Sequence, residues 1–105
     1  MLDFFKNMFS SGGTEELESV INNGAYLVDV RTPGEFSEGH VPGSVNIPLD
    51  RIQSQLAKFK GKSNIVVFCR SGMRSSQAKA ILAQNGFTNV INGGTWEKVY
   101  RFVNK

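Results

Sequence analysis

The 105-residue chain has one cysteine, Cys69, and the residues around it are of the types that stabilise a thiolate. The apolar run NIVVFC (64–69) ends at this thiol, Arg70, Ser71, Gly72 and Met73 make a short turn, and a helical pattern begins near Arg74 or Ser75. A tight turn at a helix N-terminus points several unpaired backbone N–H groups into its centre. Gly72 admits a backbone conformation that a side chain obstructs. The helix dipole adds partial positive charge, and Arg70 and Arg74 add full charges. Each effect favours thiolate over thiol. An ordinary cysteine, with a pKa of about 8.5, is only slightly ionised at neutral pH, and a fall of about two units makes it mostly anionic. The same ring of donors suits an anionic sulfur attached to that cysteine. The competing reading is a buried apolar filler, cysteine being among the most buried residue types; the position of Cys69, after the apolar run and opening an Arg/Gly turn, speaks against it. For Arg70 and Arg74 the competing reading is solvated surface charge. His40 is the only histidine and lies far off in sequence, so the thiolate argument does not call on it as a base.

The elements that must position this turn follow from patterning. Thr14 precedes Glu15 and Glu16, an N-cap with carboxylates at the positive end of a helix dipole. Leu17, Val20 and Ile21 form that helix's apolar face, and Gly24 supplies a left-handed stop. AYLVDV (25–30) reads as a buried strand. RTPGEFSEGHVPG (31–43), rich in proline and glycine, reads as a long loop with about one helical turn. SVNIP (44–48) is a brief strand, after which Asp50 caps a helix with Ile52, Leu56 and Phe59 inward and Gly61 at its end. NIVVFC is the most strongly strand-like run. The helix after it buries Ala78, Ile81 and Leu82 and stops at Gly86; NVIN (89–92) is another strand. Gly93 and Gly94 turn the chain, and Thr95 caps a last helix with Trp96, Val99, Tyr100 and Val103 inward. This alternation predicts an α/β fold: an open, mainly parallel sheet of four to five strands, right-handed crossovers, and helices on both faces. Ligands in such sheets sit beyond the carboxyl ends of the strands. Cys69 occupies that kind of position.

Composition bounds the rest. Hydrophobic residues at 40% and charged residues at 20% describe an ordinary soluble chain rather than a disordered one, and the length fits one domain. The formal charge of +3 is spread along the chain, which suits small anions. No run of Lys or Arg argues for nucleic acid or an anionic membrane surface. One cysteine excludes an internal disulfide, and the expectation is a reducing, cytoplasmic setting. No apolar stretch approaches the ~20 residues of a membrane span, and MLDFFKNMFSSGG does not read as a secretory signal. Residues 1–13 are read as an N-terminal extension and 14–105 as the domain. Leu2, Phe5, Met8 and Phe9 fall at near-helical spacing. They make either a short helix packing on the domain or a weak interfacial or partner-binding helix.

CRSGMRS (69–75) resembles the active-site loop of the rhodanese family of sulfurtransferases, Cys-x-x-Gly-x-Arg followed by a small residue, with Cys69, Gly72, Arg74 and Ser75 in the pattern. LVDVRTPGEFSEGHVPGSVNIP (27–48) resembles two further signatures of that family, an Asp-x-Arg stretch followed by Glu-Phe and a Gly-His-x-Pro-Gly turn. GFTNVINGG (86–94) is similar to its closing strand and glycine pair. The resemblance implies a rhodanese-like fold and a sulfurtransferase in which a donor such as thiosulfate loads Cys69 as a persulfide, and cyanide or a thiol takes the sulfur away. It implies that Cys69 is the nucleophile and that Arg70, Ser71, Gly72, Met73, Arg74 and Ser75 form the cradle, with no metal and no organic cofactor. Asp29, Arg31, Glu35 and His40 match positions read as structural. A sulfur-relay protein is a further expected partner. Two departures stand out: Trp96 follows the glycine pair almost immediately, which bears on the packing of the last helix, and no opening strand is evident before Thr14.

Three other readings compete with this one. Cysteine phosphatases place arginine after five residues, where this chain has Ser75, so phosphate or arsenate chemistry is disfavoured. A carrier module would hold a persulfide for one partner with little free turnover. A redox sensor would oxidise the thiolate to sulfenic acid, but without a second cysteine it has no intramolecular switch.

Overall fold

The computed structural model describes residues 14–104, so both readings of the apolar residues in 1–13 lie outside the described residues. In chain order the elements are α1 (Glu15–Asn22), β1 (Tyr26–Asp29), α2 (Pro33–Glu38), β2 (Val45–Asn46), two 3-10 segments (Leu49–Arg51 and Gln53–Phe59), β3 (Ile65–Cys69), α3 (Met73–Gln84), β4 (Val90–Thr95) and α4 (Trp96–Val103). The four strands form one sheet in the order β2-β1-β3-β4, and every neighbouring pair is parallel. The α/β architecture expected from the alternation is the observed one.

β3 is central, and its five residues are all buried. Ile65, Val67 and Cys69 pack with Val28, Val30, Ile52, Phe59 and with Ala78 and Leu82 of α3. Val66 and Phe68 pack on the opposite face with Leu17 of α1 and Val99 of α4. Alternate side chains of a strand point to opposite faces, so a strand covered on both sides must be apolar throughout. That is the physical content of the unbroken run IVVFC.

Local details differ from the patterning in several places, and Gly93 and Gly94 do not turn the chain but continue β4 through Thr95. Thr14 stands at the N-cap of α1 but makes no side-chain capping bond; Glu15, Glu16 and Glu18 are left to complement the dipole. The segment after Pro48 is not an Asp50-capped α-helix but two 3-10 pieces, with a kink at Gln55. Leu49 with Ile52, and Leu56 with Phe59, are each three apart, and side chains at that spacing align in a three-residue turn. The helical turn expected within 31–43 is the six-residue helix α2, opened by a capping box between Thr32 and Glu35. In α4, Val99 is buried whereas Tyr100 is 37% exposed. Trp96 stays within the domain despite its short spacing from Gly94. A Cβ added at Gly39 would lie 3.4 Å from the Trp96 ring, and the Arg31 guanidinium sits 4.6 Å over the ring centre.

Candidate active site

β3 ends at Cys69 and α3 begins at Met73, so three residues turn the chain at the carboxyl edge of the sheet. The turn depends on Gly72, whose φ of +97° lies in the left-handed region, reached by glycine without a steric penalty. In that conformation the Gly72 N–H donates to Cys69 Sγ at 3.0 Å. Its carbonyl accepts the first helical bond, from the Ser76 N–H at 3.0 Å. Ser75 Oγ lies 3.6 Å from the sulfur.

Cys69 itself closes the apolar core and has no accessible surface. The thiol thus stands one step deeper than its place at the end of the apolar run implies, with the loop as its polar side. Burial pushes its pKa up, but bonds from the Ser75 hydroxyl and from the backbone N–H groups of Ser75, Gly72 and Ser71 outweigh that, and the thiol is held below its ordinary value. Oriented N–H groups at a helix start can receive negative charge without reorganising. The site can therefore hold an anionic sulfur, either the thiolate or a sulfur bound to it.

The arginines part company. Arg74 is committed to Glu35 of α2, with Nη1–Oε1 at 2.7 Å and Nη2–Oε2 at 3.1 Å. Arg70 is exposed, and among the described residues its side chain makes no hydrogen bond or ion pair. Met73, the first residue of α3, is 73% exposed. Asp29 and Arg31 form a buried pair at 2.7 Å. Arg31 also donates to the Gly39 carbonyl at 2.7 Å, which ties the loop after α2 to the end of β1. His40 stacks on Phe36 with ring centres 3.9 Å apart and bonds the Phe36 carbonyl through Nδ1 at 2.9 Å. Among the described residues no hydrogen bond joins it to Cys69.

One contact residue escaped the sequence reading. Asn92 of β4 touches the loop through both polar atoms of its side chain: Oδ1 accepts from the Ser75 hydroxyl at 2.7 Å, and Nδ2 donates to the Gly72 carbonyl at 3.3 Å. The available signal was a polar residue inside the strand run NVIN, directly before the glycine pair. Among the described residues no group of three or more His, Cys, Asp or Glu side chains is placed to hold a metal ion.

Residues 13–97 match the rhodanese-like domain family. A sulfurtransferase of Allochromatium vinosum is 39% identical over 66 residues, 63% of this chain and 62% of its own length. The thiosulfate sulfurtransferase PspE of Escherichia coli is 39% identical over 71 residues, 66% of this chain and 68% of that protein. In the first of these the chain spans less than two thirds of its relative. Among solved structures, a rhodanese with anions from E. coli superposes with a TM-score of 0.64 at 36% identity, covering 70% of this chain and 88% of that one. The parallel sheet, the thiol at its carboxyl edge and the match across most of the chain converge: this protein belongs to the rhodanese-like domain family.

Proposed function

We propose that the chain moves a sulfane sulfur from an anionic donor such as thiosulfate to cyanide or a thiol acceptor, through a persulfide on Cys69. The observation that supports this most directly is the Gly72 N–H held 3.0 Å from Cys69 Sγ, at the start of a helix. In the first step the Cys69 thiolate attacks the outer sulfur of the donor. A bond forms between Sγ and that sulfur, the donor's S–S bond breaks, and sulfite leaves with the electron pair. In the second step cyanide or an acceptor thiolate attacks the outer sulfur, and Cys69 departs as thiolate, leaving thiocyanate or an acceptor persulfide. The loop donors meet negative charge at both stages, and Arg70 and Arg74 favour an anionic donor. A lone cysteine suits this chemistry, because a neighbouring thiol would attack the persulfide and close a disulfide. The reaction needs no metal or organic cofactor, and a reducing cytoplasm would keep the thiol free.

Intact-mass measurement after thiosulfate treatment tests the reading, with a gain of one sulfur, about 32 Da, expected on the covalent intermediate. Cys69→Ser should remain folded, gain no mass and form no thiocyanate; substantial turnover by that variant would end the proposal.

The burial of Cys69 favours a second reading, a persulfide carrier loaded by a sulfur-relay protein that opens the loop. Slow loading by free thiosulfate, together with fast loading by a protein persulfide, would select it.

A further inference from the structure

Ser75 is fully buried, and its hydroxyl has one proton to give. Three acceptors surround the oxygen: Asn92 Oδ1 at 2.7 Å, the Gly72 carbonyl at 3.1 Å and Cys69 Sγ at 3.6 Å. The shortest of these points the resting Ser75 hydroxyl proton at Asn92 Oδ1. Asn92 is held for this purpose by its own strand, because Oδ1 also accepts the Gly94 N–H at 2.9 Å. The β3–β4 ladder runs in regular register from Ile65 opposite Val90 to Val67 opposite Asn92, and a bulge follows, after which Phe68 stands opposite Gly94 and Cys69 opposite Thr95. Asn92 thereby shares a sheet face with Val67 and Cys69 and reaches the loop from below.

We propose that Asn92 is a positioning residue that holds the Ser75 hydroxyl proton off the sulfur while Cys69 is neutral and yields it as negative charge develops on Sγ. In the thiol, the chain of donors runs from S–H to the Ser75 oxygen and from the Ser75 O–H to Asn92 Oδ1. In the thiolate, the hydroxyl turns its proton to sulfur, and Asn92 keeps the Gly94 N–H. The Ser75–Asn92 bond thus belongs to the neutral state. Asn92 tempers the acidity of Cys69, preserving nucleophilicity for attack, while the Ser75 O–H turns its hydrogen bond to the sulfur when Cys69 leaves as thiolate. The charged groups on the elements around the sulfur are Arg70 in the loop, Arg74 of α3, Glu35 of α2 bound to Arg74, and the Asp29–Arg31 pair at the end of β1; β4 contributes none. The Ser75–Asn92 pair therefore acts by hydrogen bonding alone. The proposal rests on Cys69 working as a thiolate nucleophile.

Titration of the thiolate by its ultraviolet absorbance, with Cys69→Ser as the blank, tests this without any sulfur donor. Inertness to thiosulfate would thus defeat the sulfur-transfer reading and leave this measurement intact. Asn92→Leu removes the competing acceptor, and the Cys69 titration should move down by about half a unit to one unit. Ser75→Ala should move it up, and adding Asn92→Leu to Ser75→Ala should change nothing further. An upward shift in Asn92→Leu, or a shift of equal size with and without the hydroxyl, would overturn the proposal and leave Asn92 a clamp on Gly72. Should the leucine variant fail to fold, the near-isosteric Asn92→Asp carries the test. Its stronger acceptor should raise the titration more with Ser75 present than with Ser75→Ala, and equal shifts would refute the coupling.

Discussion

Arg74 and Glu35, 39 residues apart, meet in a two-pronged ion pair that ties the first turn of α3 to the first turn of α2. Glu35 serves two partners, since its Oε1 also accepts the Thr32 N–H at 3.0 Å. The Arg74 guanidinium, followed by the Thr32 N–H, lowers the Glu35 pKa to about 2. A carboxylate depressed in the folded state contributes stability above its unfolded pKa, and that contribution is lost as pH falls through the folded value. Glu35→Gln retains a side chain able to complete the capping box but ends the ion pair. The melting temperature of the parent should exceed that of Glu35→Gln near neutrality, and the gap should close as pH falls toward about 2. A gap independent of pH would mean the pair contributes nothing through its charge.

Removing the Arg74 side chain ends the same ion pair, so it should lower the melting temperature much as Glu35→Gln does, and in addition it should weaken donor binding. Arg74→Ala removes a charge beside an anion site while its helix persists. The KM for thiosulfate should rise about tenfold, a loss of about 1.4 kcal/mol, with kcat changed much less. Equal kinetics in variant and parent would make Arg74 no more than Glu35's partner.

Because the loop donors hold the Cys69 thiol below its ordinary pKa, ionisation of that thiol must stabilise the fold. The sign follows from the depressed value: the contribution is complete above the unfolded thiol's pKa of about 8.5 and disappears as pH falls through the folded one. Denaturation midpoints of the parent and of Cys69→Ala, compared from mildly acidic to alkaline pH, should diverge in the parent's favour as pH rises and then level off. A constant difference would show that the loop does not stabilise the anion.

The buried Asp29–Arg31 pair, at 0% and 4% side-chain exposure, should behave differently from the Glu35–Arg74 pair, at 30% and 33%. Asp29→Ala leaves a buried guanidinium with only the Gly39 carbonyl and the Trp96 face for company. Such a change typically costs about 3–5 kcal/mol, against under about 1 kcal/mol for an exposed pair. Urea denaturation of Asp29→Ala and Glu35→Gln should reproduce that order. A smaller loss in Asp29→Ala would mean that water or a shifted Arg31 relieves the charge.

Much of this architecture is written locally. IVVFC announces a strand buried on both faces because each of its side chains must be apolar, and Cys69 and Gly72 declare the loop because the sulfur and its nearest donor are three residues apart. What escaped the sequence is what long-range contact decides. Asn92 reaches the loop across 17 and 20 residues, and nothing in NVIN reveals which face it takes until pairing with Val67 of β3 fixes it. The span from Leu49 to Phe59 carries apolar residues three and four apart, a spacing shared by α and 3-10 turns, so packing against the sheet chose between them. Likewise Thr14 has the right residue type for a cap, but its φ of −109° and ψ of −52° turn the backbone away from the extended geometry that capping uses.

The bulge itself depends on Gly93, and for reasons of space rather than of torsion. A Cβ built at Gly93 would lie 2.9 Å from both Val66 Cγ1 and Val99 Cγ2 and 3.5 Å from the Val67 carbonyl oxygen. Val66 and Val99 are fully buried, and β-branched side chains have few rotamers in which to retreat. Overpacking of this kind costs about 1–3 kcal/mol. Gly93→Ala should therefore lower the denaturation midpoint by that amount, and Gly93→Ala with Val99→Ala should recover part of the loss by opening room on the α4 side. Because β4 must shift to admit the methyl, Asn92 should move with it, and the Cys69 titration should change in Gly93→Ala although the added Cβ meets Val66 and Val99 rather than the loop. A variant as stable as the parent, with an unaltered titration, would show that the bulge tolerates a side chain and does not set the position of Asn92.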